Sequence, residues 1–222
     1  MLKNDTKGTH SIATKIGDPH TPLIQRHLER RGNLEGLFAD RIVLIEGNHD
    51  ESFYRKLCSI FGINFPAKEY GLFIKSCGKD EMRLARKFYA QMGFTDVSLI
   101  CDLDYLFSND FGHLLKELDL DETIPSKCRM HINWNDKRDP PIYKVMEGIE
   151  SNGEPKDFEK ILSSLKDKRI FILRHGTPEM YYRSKNGRKD EWENVNSEND
   201  LLEVPYLKSL LISVLNNPAS KN

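Results

Sequence analysis

Apolar residues fall in short β-branched runs separated by stretches with helical spacing. Arg41-Ile-Val-Leu-Ile-Glu46, Gly71-Leu-Phe-Ile-Lys75 and Val97-Ser-Leu-Ile-Cys101 each read as a buried strand bounded by turn formers. After the first run, Gly47-Asn48 breaks the pattern, and Asp50 is placed to cap a helix covering Phe53, Leu57, Ile60 and Phe61. After the second, Ser76-Cys-Gly78 makes a turn. Asp80 to Met92 then sets Met82, Leu84, Ala85, Phe88 and Met92 on or near one helix face, ended by Gly93. Strand, helix, strand, helix, strand implies βαβ units and a parallel sheet. Residues 157–166 repeat the helical pattern, Arg169-Ile-Phe-Ile-Leu173 reads as a fourth strand, and Val204 to Leu215 reads as a final apolar helix.

The predicted class is α/β: a four-stranded, mainly parallel sheet flanked by helices, with an insert and a C-terminal helical extension. Residues 1–35 read as a polar linker leading into a short helix, where Leu23, Ile24, His27 and Leu28 stand at helix spacing. Residues 36–183 form the main domain, interrupted at about 105–155 by an irregular insert around Asn133-Trp134-Asn135 and Asp139-Pro140-Pro141. Residues 184–222 supply a polar, mobile segment and the last helix.

Composition narrows the class. At 222 residues the chain has the length of one domain with a real core. Hydrophobic residues are 38% and charged residues 30%, and no stretch approaches the roughly 18 consecutive apolar residues of a membrane span. The first residues lack an apolar secretory leader, so a cytoplasmic protein is expected. Cys58, Cys77, Cys101 and Cys128 show no CxxC or CxxH spacing, which argues against structural zinc and a disulfide framework. The net charge of -1 conceals an uneven distribution. Ser126–Lys189 holds fifteen Lys and Arg against nine Asp and Glu, whereas Asp190–Glu203 holds six acids and no base. A basic region beside an acidic metal site suits phosphodiester binding, though it also fits an ordinary solvated surface. The acidic run should lie off any nucleic-acid track or meet a basic partner.

The informative charges are carboxylates at strand ends: Glu46 with Asp50, and Asp102 with Asp104. In parallel sheets, ligands sit at the carboxyl ends of the strands. Alternation in an extended segment would put Asp102 and Asp104 on one side, while Gly47 lets the chain turn and brings Asp50 into the first helical turn. A lone Asp at a strand end is commonly a turn former, and Asp50 alone is explained as a cap. A Glu closing an apolar strand is harder to explain without a partner, and so are the two aspartates. Gathering them without a cation is costly, because like charges repel. A hard divalent ion removes that cost and can act on a phosphodiester.

Ile-Val-Leu-Ile-Glu46-Gly47 followed by Asp102-Leu-Asp104 resembles a Toprim domain. Asp50 four residues after the glutamate, Ser76-Cys-Gly78-Lys79-Asp80, the lead-in Gly36-Leu-Phe-Ala-Asp40-Arg41 and Ile172-Leu-Arg-His-Gly176-Thr-Pro-Glu179-Met-Tyr181-Tyr182 resemble the branch of OLD (overcoming lysogenization defect) nucleases. The likeness spans about 20–183 and is strongest at 36–106. It implies a Toprim-like Rossmannoid fold. It further implies that Glu46, Asp50, Asp102, Asp104 and Glu179 bind one or two Mg2+ or Mn2+ ions, with Glu46, Asp102 and Asp104 at the catalytic centre. A lysine often assists in this family. Lys185 and Lys189 lie near the expected place, and the sequence does not choose between them. The implied activity is metal-dependent endonuclease cleavage of DNA or RNA. Such nucleases often act in bacterial anti-phage defence beside an ABC-type ATPase. This chain has no GxxxxGK[ST] P-loop, so any ATPase must lie in another protein or in another part of the gene.

Other residues keep two readings. Gly78-Lys79 could hold a substrate phosphate at a helix N-terminus or simply turn the chain. His49 and His175 could touch substrate or face solvent. Tyr181 and Tyr182 could stack on a base or pack in the core, and Trp134 and Trp192 could mark a binding surface or pin the insert. A HAD-type phosphatase also uses DxD after a strand, but Tyr105-Leu106-Phe107 does not continue its motif. A non-catalytic Toprim module that binds nucleic acid or a protein is the alternative to the nuclease. The last helix could dock on a partner or a second copy of the chain as well as on its own core.

Overall fold

A computed structural model describes residues 2–5, 8–11, 33–39, 41–63, 71–75, 81–129, 155–174, 176–182 and 191–215. Strands β1 (Leu2–Asp5) and β2 (Gly8–Ser11) pair antiparallel where the sequence reads as a polar linker. The helical pattern at 23–28 lies outside the described residues. The main sheet begins with β3 (Arg41–Ile45), which leads through α1 (Asn48–Ile60) to β4 (Gly71–Lys75). Helix α2 (Met82–Gln91) then leads to β5 (Val97–Cys101). Two further helices, α3 (Asn109–Glu117) and α4 (Ile124–Arg129), precede α5 (Pro155–Asp167), β6 (Ile170–Ile172) and α6 (Val204–Leu215).

The four strands lie in the order β4-β3-β5-β6, and all three pairings are parallel. The edge strand β6 is the short one. Successive side chains alternate between faces, and both faces are covered. Ile42, Leu44, Val97, Leu99, Cys101, Ile170 and Ile172 enter one core with α2, α3, Ile124 and Leu165. Val43, Ile45, Ile100, Phe171 and Leu173 enter the other with α1 and α6. The apolar runs of β3, β5 and β6 are therefore continuous because each of these strands is buried on both sides.

The beginnings of the strands are joined by charge. Asp96 forms an ion pair with Arg41 at 3.2 Å, accepts from Arg169 at 2.9 Å, and is itself buried. The Arg169 guanidinium also donates to the Ser213 and Val214 carbonyls at 2.7 and 2.6 Å, closing the last turn of α6.

Two further expectations change. The irregular insert at 105–155 is helical where described: α3 and α4 fill 109–117 and 124–129, and Phe111, Leu114, Leu115 and Ile124 are buried in the first core. Ser108 caps α3 by accepting from Phe111 N–H at 3.0 Å. Residues 130–154, with Trp134 and the prolines, lie outside the described residues. The described part of the polar segment, 191–200, turns through two short 3-10 helices, and Val195 and Leu201 are buried. Helix α6 packs on its own core through Leu207, Leu210, Leu211 and Val214. No helix among the described residues is long and apolar enough to cross a membrane.

Candidate metal centre

Strand β3 runs through α1 to β4 on one side, while β5 lies on its other side. Helices α1 and α2 cover opposite faces. The carboxyl ends of β3 and β5 thus flank the crevice where open α/β sheets bind ligands. Glu46 follows β3, and Asp102 follows β5. One oxygen each from Glu46, Asp102 and Asp104 lies within 4.8 Å of the others. Glu46 Oε1 also accepts the Asp102 N–H at 2.9 Å, which ties the two strand ends directly.

Asp102 and Asp104 converge by a different route from the expected alternation. Asp102 is extended, but Leu103–Phe107 is a 3-10 helix. Leu103, Tyr105 and Leu106 are fully buried, and this local winding leaves Asp104 only partly buried, where it can join the cluster. The turn is held by Tyr105 N–H donating to the Asp102 carbonyl at 3.1 Å and Leu103 N–H donating to the Gly176 carbonyl at 3.0 Å.

Asp50 also plays a modified part. The helix starts at Asn48, with Gly47 as N-cap, so Asp50 sits inside the first turn. Its Oδ2 accepts the Gly47 N–H at 2.8 Å. A Cβ on Gly47 would stand only 3.3 Å from Asp50 Oδ1, so glycine leaves room for this contact.

Electrostatics bring in a fifth acid. The Asp102 carboxyl is held well above the ordinary aspartate value, first by burial and then by Glu46, Asp50, Asp104 and Glu179. Glu179 lies in the 3-10 helix Pro178–Tyr181, after β6. Its Oε2 is buried and takes no hydrogen bond from the described residues. Below the cluster, burial and then Asp50, Asp102, Tyr181 and Tyr206 push the Tyr54 hydroxyl well up, so it stays neutral beside the acids. The Cys101 thiol is likewise pushed up by burial and by Glu46.

This donor set fits a hard cation. Carboxylate oxygens are what Mg2+ selects, and opposite ligands about 2 Å from such an ion stand about 4 Å apart. Gathering the three oxygens needs only small side-chain adjustment.

The family model for the TOPRIM domain of overcoming lysogenization defect protein-like (OLD-like) proteins matches residues 37–104. The chain carries a Toprim domain of the OLD family. The match to the OLD-like Toprim domain runs from just before β3 to Asp104, so it includes three strands of the sheet and the acidic triad. Toprim domains bind divalent metals through acidic residues, and here Glu46, Asp102 and Asp104 form a cluster able to hold an ion. No curated protein and no solved structure matches the chain significantly.

The remaining expected residues divide sharply. Gly78, Lys79, His175, Lys185 and Lys189 lie outside the described residues. His49 is exposed in the first turn of α1. Tyr181 and Tyr182 are buried and so cannot stack on a base. Tyr181 stacks instead on Tyr206, and Tyr182 packs against Phe53. Trp192 lies half-buried under the Lys56 ammonium, which also donates to the Glu193 carbonyl. The acidic run is therefore fastened to α1, and Glu198 pairs with Lys208 on α6. Sequence reasoning missed Tyr54 and Tyr206. The signal available was a phenol within an otherwise apolar helix face, since a buried hydroxyl needs a partner.

Proposed function

We propose that this protein is a Mg2+- or Mn2+-dependent nuclease that hydrolyses phosphodiester bonds in DNA or RNA. The observation carrying the reading is the convergence of Glu46, Asp102 and Asp104 within 4.8 Å at the carboxyl ends of adjacent strands. These three residues would hold one ion, with Asp50 and Glu179 completing the site or holding a second. A bound divalent ion would polarise the phosphodiester, activate water and stabilise the leaving oxygen. The chain's own part is to fix the acceptors before metal arrives. Glu46 is tied to the Asp102 backbone, and the 3-10 turn holds Asp104 beside it. Lys185 is assigned to charge stabilisation at the phosphate and Gly78-Lys79 to substrate contact, both from the family resemblance.

Purified protein is incubated with plasmid, single-stranded DNA and total tRNA, in Mg2+, Mn2+ or EDTA. Cutting is expected with metal only, and Glu46→Ala or Asp102→Ala should abolish it. Nucleic-acid binding that both variants retain, with no cutting under any condition, would instead identify a non-catalytic Toprim module.

We further assign the nuclease to a bacterial anti-phage system with an ATPase partner. The support is the OLD resemblance together with the lack of a P-loop sequence within these 222 residues. An ATPase gene adjacent to this one is expected, and its absence would weigh against the pairing.

A further inference from the structure

We propose that Tyr206, in the C-terminal helix, is the positioning residue that sets the Glu179 carboxylate against the acid cluster. The inference rests on the metal-site reading above. Tyr206 stands in the first turn of α6, far in sequence from every acid of the site. Its hydroxyl donates to the Ile172 carbonyl at 2.9 Å and accepts the Arg174 N–H at 3.1 Å. It therefore grips both sides of the point where β6 ends and the Glu179 segment begins. Its ring stacks on Tyr181, with centroids 5.7 Å apart and planes at 12°. The Tyr181 carbonyl in turn accepts the Leu202 N–H at 2.8 Å, just before α6.

The stretch from Arg174 to Tyr181 is thus held at both ends by residues 202–206. Between those ends, the Gly176 carbonyl accepts the Leu103 N–H, inside the Asp102-Leu-Asp104 turn. Gly176 has φ 114°, a backbone that side chains rarely adopt, so the segment bends there in a way that suits glycine. Because Glu179 Oε2 takes no hydrogen bond from the described residues, that oxygen inherits its place from the backbone. The backbone is held by Tyr206.

The test is Mn2+ binding by calorimetric titration of the full chain. Four proteins are compared with the parent: Tyr206→Phe, Glu179→Gln, the double variant, and Lys208→Ala. Phe keeps the ring and its stack and removes only the hydroxyl. Tyr206→Phe should weaken Mn2+ binding about tenfold, while the metal-free unfolding midpoint falls by only a few degrees. The double variant should bind no more weakly than Glu179→Gln alone, because both act through one carboxylate. Lys208→Ala, which loosens α6 at Glu198 without touching the grip, should bind as the parent does. Parent-like binding by Tyr206→Phe, or a loss that adds in full to that of Glu179→Gln, would overturn the proposal. So would an equal loss in Lys208→Ala, which would mean general helix docking. Unchanged binding in Glu179→Gln also overturns it, yet leaves the metal site standing if Glu46→Ala still abolishes binding.

Discussion

Asp102 meets two opposed demands. It is partly buried, and four other carboxylates act on it. Its pKa in the folded protein is therefore raised above the ordinary 3.8, and folding favours its protonated form. The stability this brings is complete below the ordinary value and is lost as pH rises through the raised one. The metal-free protein should thus melt at a lower temperature at about pH 8 than at about pH 5. Saturating Mg2+ should flatten that slope, because the ion binds the ionised form and competes with protons. Asp102→Asn should flatten it too, by removing the charge. In metal-free protein at alkaline pH this substitution should raise the midpoint by about 2–4 °C for each kcal/mol of repulsion removed, while abolishing cutting. Thermal melts across pH, with EDTA or Mg2+, check all three outcomes.

The helices and strands show what a sequence discloses and what it conceals. The strands were legible because β-branched runs buried on both faces stay apolar throughout, as in Ile42–Ile45. Glu46, Asp102 and Asp104 were legible because a carboxylate ending such a run needs a chemical reason. The expected alternation of Asp102 and Asp104 was wrong in its backbone, since Leu103–Phe107 winds as a 3-10 helix to bury Leu103, Tyr105 and Leu106. The sequence reads α3 as part of an insert because the residues after it are polar and proline-rich. Its own signal was present: Ser108 as cap, then Phe111, Leu114 and Leu115 at helical spacing. Since Leu114 is buried in the first core, Leu114→Ala should cost about 2–5 kcal/mol of stability. Denaturant unfolding would show this, and a loss under about 0.5 kcal/mol would return α3 to the surface. Tyr206 was hidden for a different reason. Its phenol announces that a partner is needed, but that partner is the Ile172 carbonyl, a backbone group that every residue carries, so the sequence does not say which contact is made.

Across the molecule, the two ends of the sheet are built on contrary principles. At the starts of β3, β5 and β6, Asp96 attracts both Arg41 and Arg169, and Arg169 extends the tie to the end of α6. Removing Arg169 leaves Asp96 with less compensation and the last carbonyls of α6 without this donor. Arg169→Ala should therefore cost about 3 kcal/mol, lowering the melting midpoint by roughly 6–12 °C, with Mn2+ affinity unchanged because the acids lie at the opposite end. At the carboxyl ends, five acids push apart. The sheet is in effect a zipper fused at the bottom and left unfastened at the top, where a bound metal ion would act as its slider. Opening fluctuations should start at the top. Amide exchange in metal-free protein should then be faster around Ile45 and Cys101 than around Ile42 and Val97. Added Mg2+ should slow the first pair and leave the second nearly untouched. On this view an ion bound there would also be a local fastener, and its loss would loosen the crevice itself before it threatened the fold.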